Sequence, residues 1–142
     1  MNDNLKFSAD VKRWGDRSLD KLLKVAKQST QDVTRIAQTT VAQGGNMPVD
    51  VGNLRNNIIA QIEGGITNQG DADAGKDSTT GLDAITLTIA QLQIGDVLAV
   101  EWAAEYSAAR HYMKTDKGGG LWRDLAMQQW QTIVAKNARR VM

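Results

Sequence analysis

Apolar residues return at three- and four-residue steps through the first third of the chain: Val11, Trp14, Leu22, Ala26, Val33, Ile36, Ala37 and Val41. That is the helical period, and it predicts one long helix over 8–43. Lys12, Arg13, Arg17, Lys21, Lys24, Lys27 and Arg35 take much of the remaining surface, and Asp20 lies four residues before Lys24, a favourable helical pair. Gly44 and Gly45 supply the stop, and residues 46–53 are dense in turn-formers. The period then changes to two. Leu54, Ile58, Ala60 and Ile62 alternate with Arg55, Asn57, Gln61 and Glu63, which predicts a strand over 53–63. Ile85, Leu87 and Ile89 alternate with Thr86 and Thr88, predicting a strand over 84–90. Leu98, Val100 and Trp102 predict a third over 97–102, paired with the second as a hairpin across an irregular turn at Gly95-Asp96. Helical spacing resumes with Trp122, Ala126, Trp130, Ile133 and Val134, a helix over 121–140 with Arg139 and Arg140 at its negative end.

Residues 64–83 hold five glycines and almost nothing apolar, so they read as a long flexible loop. Their Asp71, Asp73, Asp77 and Asp83 face only Lys76 in charge, and a loop of this length inside a small sheet suggests a reach beyond the subunit. The order α, β, β, β, α gives an α+β fold: a long N-terminal helix and a C-terminal helix packed on a small antiparallel sheet, with one long loop, all within a single domain 1–142.

Composition narrows the chemistry. Seventeen basic and sixteen acidic residues among 142 leave a net charge of +1, unlike the strongly basic balance of most nucleic-acid binders. There are no cysteines, which excludes disulfides, thiolate nucleophiles and cysteine-ligated zinc. Residues 1–10 lack the apolar run of a secretion signal, and no run approaches the ~18 apolar residues of a membrane span. A soluble chain made in the cytoplasm, with no membrane partner, is expected.

His111 is the single histidine, with Ser107 four residues before it, and no serine sits in a Gly-x-Ser-x-Gly elbow. It reads as a solvated or interface residue. Asp71, Asp73 and Asp77 imitate a calcium loop, but Gly75 occupies the fifth position, where that loop needs a ligand. Gly118-Gly119-Gly120 precedes a helix without the Lys-Ser/Thr of a phosphate loop and reads as a hinge. No catalytic residue, cofactor site or metal site is therefore expected. The basic side of the first helix leaves one alternative function, a small DNA-binding module.

The segment Met47-Pro48-Val49-Asp50-Val51-Gly52-Asn53-Leu54-Arg55-Asn56-Asn57 resembles the signature of the tailed-bacteriophage neck and tail-completion family, whose usual form is Pro-Val-Asp-Thr-Gly-x-Leu-Arg-x-Ser. Val51 replaces the threonine and Asn57 the serine. Glu105-Tyr106-Ser107-Ala108 and Gly120-Leu121-Trp122-Arg123-Asp124-Leu125-Ala126 are similar, in the same order, to the family's Tyr-Ala segment and the opening of its last helix. The family's acid-x-glycine element is replaced by Arg110-His111-Tyr112. The resemblance implies a minor tail component, a head-tail connector built as a homo-oligomeric ring, a hexamer, in the virion neck. Its partners would be head-closure proteins on one side and tail-terminator or tail-tube proteins on the other, with duplex DNA only in transit. In the first motif Pro48 fixes one φ, Asp50 can cap its own turn and Gly52 can adopt a positive φ. Leu54 would anchor that turn in the core and leave Arg55 for a partner's carboxylate. Asp50, Gly52, Leu54, Arg55, Tyr106, Trp122 and Arg123, with Asp71, Asp73 and Asp77 of the loop, are thus candidate assembly-interface residues.

Overall fold

A computed structural model describes residues 2–48, 53–75, 77–103, 111–112 and 121–141, without the side chains of residues 2–17, 53 and 54. The first helix, α1, runs Asn2–Gln38, about 55 Å at ~1.5 Å per residue. It ends short of the expected Gln43 because Thr40 is already extended (φ −73°, ψ 159°) and bridges to Met47. The Met47 N–H donates to Thr39 O at 3.1 Å, and the Val41 N–H donates to Met47 O at 3.1 Å. Gly44, at φ 90°, closes the 3-10 turn Val41–Gln43 between them. Gly45 has no alternative at its place, since a Cβ there would collide with the Thr39 carbonyl.

A four-residue helix, α2 (Asn53–Asn56), leads into β1 (Ile58–Ile62), so the expected strand starts later than Asn53. The segment read as a flexible loop is largely built. It contains β2 (Thr67–Gln69), antiparallel to β1 with Ala60 opposite Asn68. The Ala74 N–H donates to Asp71 O at 3.1 Å and the Ser78 N–H to Gly75 O at 3.2 Å, and α3 begins at Thr80. The expected strand 84–90 is overturned: Thr80–Ala90 is helix α3. Its buried residues Gly81, Ala84, Ile85, Thr88 and Ile89 recur at helical spacing, while Leu87 is 56% exposed. The β-branched threonine is tolerated because Thr88 Oγ1 lies 2.9 Å from Ala84 O, one turn back. Thr88 also lies 3.2 Å from Ala60 O and accepts from Asn68 Nδ2 at 2.9 Å, tying α3 to β1 and β2.

With that strand gone, the hairpin expected across Gly95-Asp96 goes too. The third strand, β3 (Leu98–Trp102), pairs antiparallel with β1, Ala60 opposite Val100, giving the order β2-β1-β3. The sheet remains antiparallel and the fold α+β. The C-terminal helix is interrupted at 128–129 into α4 (Trp122–Met127) and α5 (Trp130–Val141).

Two apolar clusters hold these parts. Ile58, Ala60 and Ile62 of β1 meet Ile85, Ile89 and Leu92 beneath the sheet, each fully buried large side chain contributing about 1.5–3 kcal/mol. Val33, Ala37, Met47, Trp122 and Ala126 join α1 to α4. Trp102 packs against both clusters, and its position is fixed by Gln38 at the end of α1. Gln38 is 1% exposed. Its Oε1 accepts from Trp102 Nε1 at 2.9 Å, its Nε2 donates to Arg55 O at 2.9 Å, and its main-chain carbonyl accepts from Arg55 Nε at 3.1 Å. The helix α5 packs Trp130 and Ile133 against the second cluster and adds a buried polar contact. Its one buried residue is Asn137, whose Nδ2 lies 3.1 Å from Ser29 Oγ and 3.0 Å from Asp32 Oδ2.

Replacing Gln38 by Met keeps the volume but removes the bonds to the Trp102 indole and to the Arg55 carbonyl. Each loss costs about 1–3 kcal/mol, so we expect Q38M to lower unfolding free energy by about 2–4 kcal/mol in a denaturant titration. A change within 0.5 kcal/mol, the level of an ordinary surface substitution, would mean that the hub is dispensable.

Candidate functional site

Three concavities and one acidic turn are the features from which a function can be built. The first concavity, about 670 Å3, is an apolar groove between α1, the approach to β3, and α4–α5. Leu23, Ala26 and Val33 form one wall, Leu98, Val100 and Trp102 the floor, and Ala126, Met127 and Trp130 the other wall. Its rim is unusually apolar for an open surface: Ile94 is 54% exposed, Val97 57% and Met127 54%. Arg123 and Asp96 are its charged lining residues.

A smaller pocket of about 180 Å3 lies beside it, around His111, Trp122, Tyr112 and Arg123. The sequence placed His111 in solvent or at an interface, but it is 4% exposed. The reason is aromatic packing: its ring meets Trp122 edge-on at 4.8 Å and Tyr112 at 4.6 Å. Trp122 itself, expected at an assembly interface, is 2% exposed and meets Trp102 edge-on at 6.0 Å. It belongs to the core, because its position on α4 turns it toward α1. The His111 carbonyl accepts from the Leu121 N–H at 2.6 Å, and Leu121 takes φ 51° to enter α4. Neither ring nitrogen of His111 has a hydrogen-bond partner among the described residues; the Asp124 carboxylate is 3.8 Å away. Desolvation pushes the His111 pKa down, with Asp124 raising it less and Arg123 lowering it.

Arg123 stays exposed, as an interface residue should. Its Nε donates to Asp124 Oδ1 at 3.0 Å and its NH2 group to Tyr112 Oη at 3.0 Å, which together raise its pKa. Arg55, expected to be available to a partner's carboxylate, is instead half-buried and bonded through Nε to Gln38 O, and desolvation lowers its pKa. The sequence could not show this, since Gln38 lies 17 residues away. Asp50, Gly52 and Tyr106 lie outside the described residues, as do Gly118 to Gly120, and Leu54 is described only as a residue of α2.

The third concavity, about 620 Å3, runs between α1, α3 and α5 and is basic. Lys24, Lys27 and Arg35 line it from α1 and Arg140 from α5, with no Asp or Glu among its lining residues. Lys27 Nζ donates to Ala90 O at 3.1 Å, the last carbonyl of α3. The acidic turn lies at the opposite end of α3. There Asp71, Asp73 and Asp77 are all exposed. The Asp73 N–H donates to Asp71 Oδ1 at 3.0 Å and the Asp71 N–H to Thr80 Oγ1 at 3.1 Å. Asn56 Nδ2 donates to Gly75 O at 2.6 Å, so the turn is pinned to α2 beside Arg55.

Among the described residues no three of His, Asp and Glu gather as metal ligands, and no helix is long and apolar enough to cross a membrane. No family model matches this chain, nor does any curated protein or solved structure.

The buried histidine gives a pH test. A folded-state pKa below the usual 6.5 means that the unfolded chain binds more protons below that pH, so stability falls as pH falls through and beneath about 6.5. We expect the melting temperature to drop between pH 7.5 and 5.5, and H111Q to flatten that slope. Parallel slopes in thermal melts of the two proteins would rule His111 out as the cause.

Proposed function

We propose that this chain is a structural subunit of the neck of a tailed bacteriophage, one copy in a closed ring that joins the head-closure complex to the tail. The observation that carries an assembly role is the open apolar groove, rimmed by Ile94, Val97 and Met127, each more than half exposed. An open apolar groove with an exposed apolar rim fits a face that another protein covers. The resemblance of the Pro48–Arg55 segment to the neck and tail-completion family then names the assembly, and with it six copies, a place in the virion, and synthesis in the bacterial cytoplasm. In this reading the work is geometric: complementary faces above and below, and a lumen through which DNA passes without chemical change.

A second reading, a small DNA-binding module, draws on the basic groove of Lys24, Lys27, Arg35 and Arg140. It requires binding of duplex DNA that weakens steeply with salt.

The neck reading is tested by light scattering and electron microscopy of the protein, alone and with head-closure and tail proteins of the same phage. Rings are expected, and a strict monomer in every mixture sinks the idea. V97D/M127D is expected to leave stability within about 0.5 kcal/mol, as for exposed positions, while weakening assembly. Full assembly by that variant would remove the apolar groove from the interface.

A further inference from the structure

The basic groove carries more charge than its place in the fold requires. Two helices, α3 and α5, end at it, and each helix end presents about half a negative charge. Asp32, behind Asn137, adds one more, held by Asn137 Nδ2 at 3.0 Å and Gln28 Nε2 at 2.8 Å. Against these about two negative charges, and Asp20 one turn before Lys24, stand four cations: Lys24, Lys27, Arg35 and Arg140. Capping of helix ends accounts for Lys27 and its bond to Ala90 O; it does not account for the rest.

At the other end of α3 the sign reverses. The turn bearing Asp71, Asp73 and Asp77 is followed by Asp83 in the first turn of the helix, and all four are exposed. The turn is held in shape by Asp71 Oδ1, Thr80 Oγ1 and Asn56 Nδ2, so little ordering entropy would be lost on docking. A groove of about 620 Å3 is in the size class that admits a small ligand or a few side chains.

We propose that the basic groove of one copy receives the acidic turn of the next copy, through Asp71, Asp73 and Asp77. This rests on the ring reading above and supplies its interface. Two unlike patches on one chain make a head-to-tail contact, the kind that closes into a ring, whereas a twofold dimer needs one self-complementary patch. Leu87, 56% exposed on α3 between the two patches, is an apolar surface that the neighbour would cover.

Charge swapping tests this. K24E/R140E reverses the groove and leaves the Lys27 cap in place; D73K/D77K reverses the turn and leaves Asp71 to shape it. Assembly is read by light scattering under whichever condition the wild type assembles, alone or with its neighbours, with circular dichroism confirming the fold. Each variant is expected to remain monomeric, and a 1:1 mixture to assemble, because the reversed turn meets the reversed groove while the two native patches still meet. Raising salt should weaken the wild-type assembly. If a reversal disturbs folding, K24Q/R140Q and D73N/D77N replace it, each expected to weaken assembly at least tenfold. Variants that assemble like wild type overturn this interface and leave the ring reading standing, as does a mixture that stays monomeric. A wild type that never assembles overturns both. A K24E/R140E protein that assembles normally but loses salt-dependent binding to a short duplex makes the groove a nucleic-acid site and ends the proposal.

Discussion

One buried amide, that of Gln38, sets the relation between the helical and sheet layers. It sits where α1 stops: its side-chain amide reaches Trp102 on β3 and the carbonyl of Arg55 in α2, while the Gln38 main-chain carbonyl accepts from the Arg55 guanidinium. An apolar side chain of the same size would fill the space and remove the two amide bonds, which is the costlier outcome in a low-dielectric interior. The same point forces a glycine at position 81: a Cβ there would lie 2.9 Å from Gln38 Nε2 and 3.0 Å from Arg55 O. Thus α3 approaches β1 closely enough to bury Ile58 and Ile85 completely, because the residue over the hub has no side chain.

From this arrangement follows the distribution of surfaces. Trp102 closes the floor of the apolar groove from one side and seats Trp122 from the other. The apolar groove and the core are therefore continuous, separated by a single indole. The basic groove lies on the far side of α1, where α3 and α5 terminate. A single long helix thus carries an apolar face and a cationic face.

The sequence made part of this legible. The 3.6-residue period identified α1 and the C-terminal helices, and alternation identified β1 and β3. It failed at α3, where Ile85, Leu87 and Ile89 happen to alternate with two threonines. Only the longer pattern from Gly81 to Leu92 shows the helical phase, with Leu87 turned outward. Thr67, Asn68 and Gln69 were invisible as a strand because a polar edge strand has no apolar face to advertise. Among the candidate residues, Arg123, Asp71, Asp73 and Asp77 are exposed. Trp122 and Arg55 are not, since burial and long-range bonding are decided by partners far along the chain. The basic side of α1 could be read from spacing, but its convergence with Arg140 of α5 could not.

The attachment of α5 has a consequence for how the molecule opens. Its one buried residue is polar, and its contact with Ser29 joins positions 108 residues apart. Such a contact fixes register sharply, beside Trp130 and Ile133, which pack against the apolar cluster of α1 and α4. A local opening of α5 would break both. Its backbone amides should exchange with deuterated solvent through a local opening that leaves α3 and the sheet protected. Because Arg140 travels with it, each such opening also removes one wall of the basic groove.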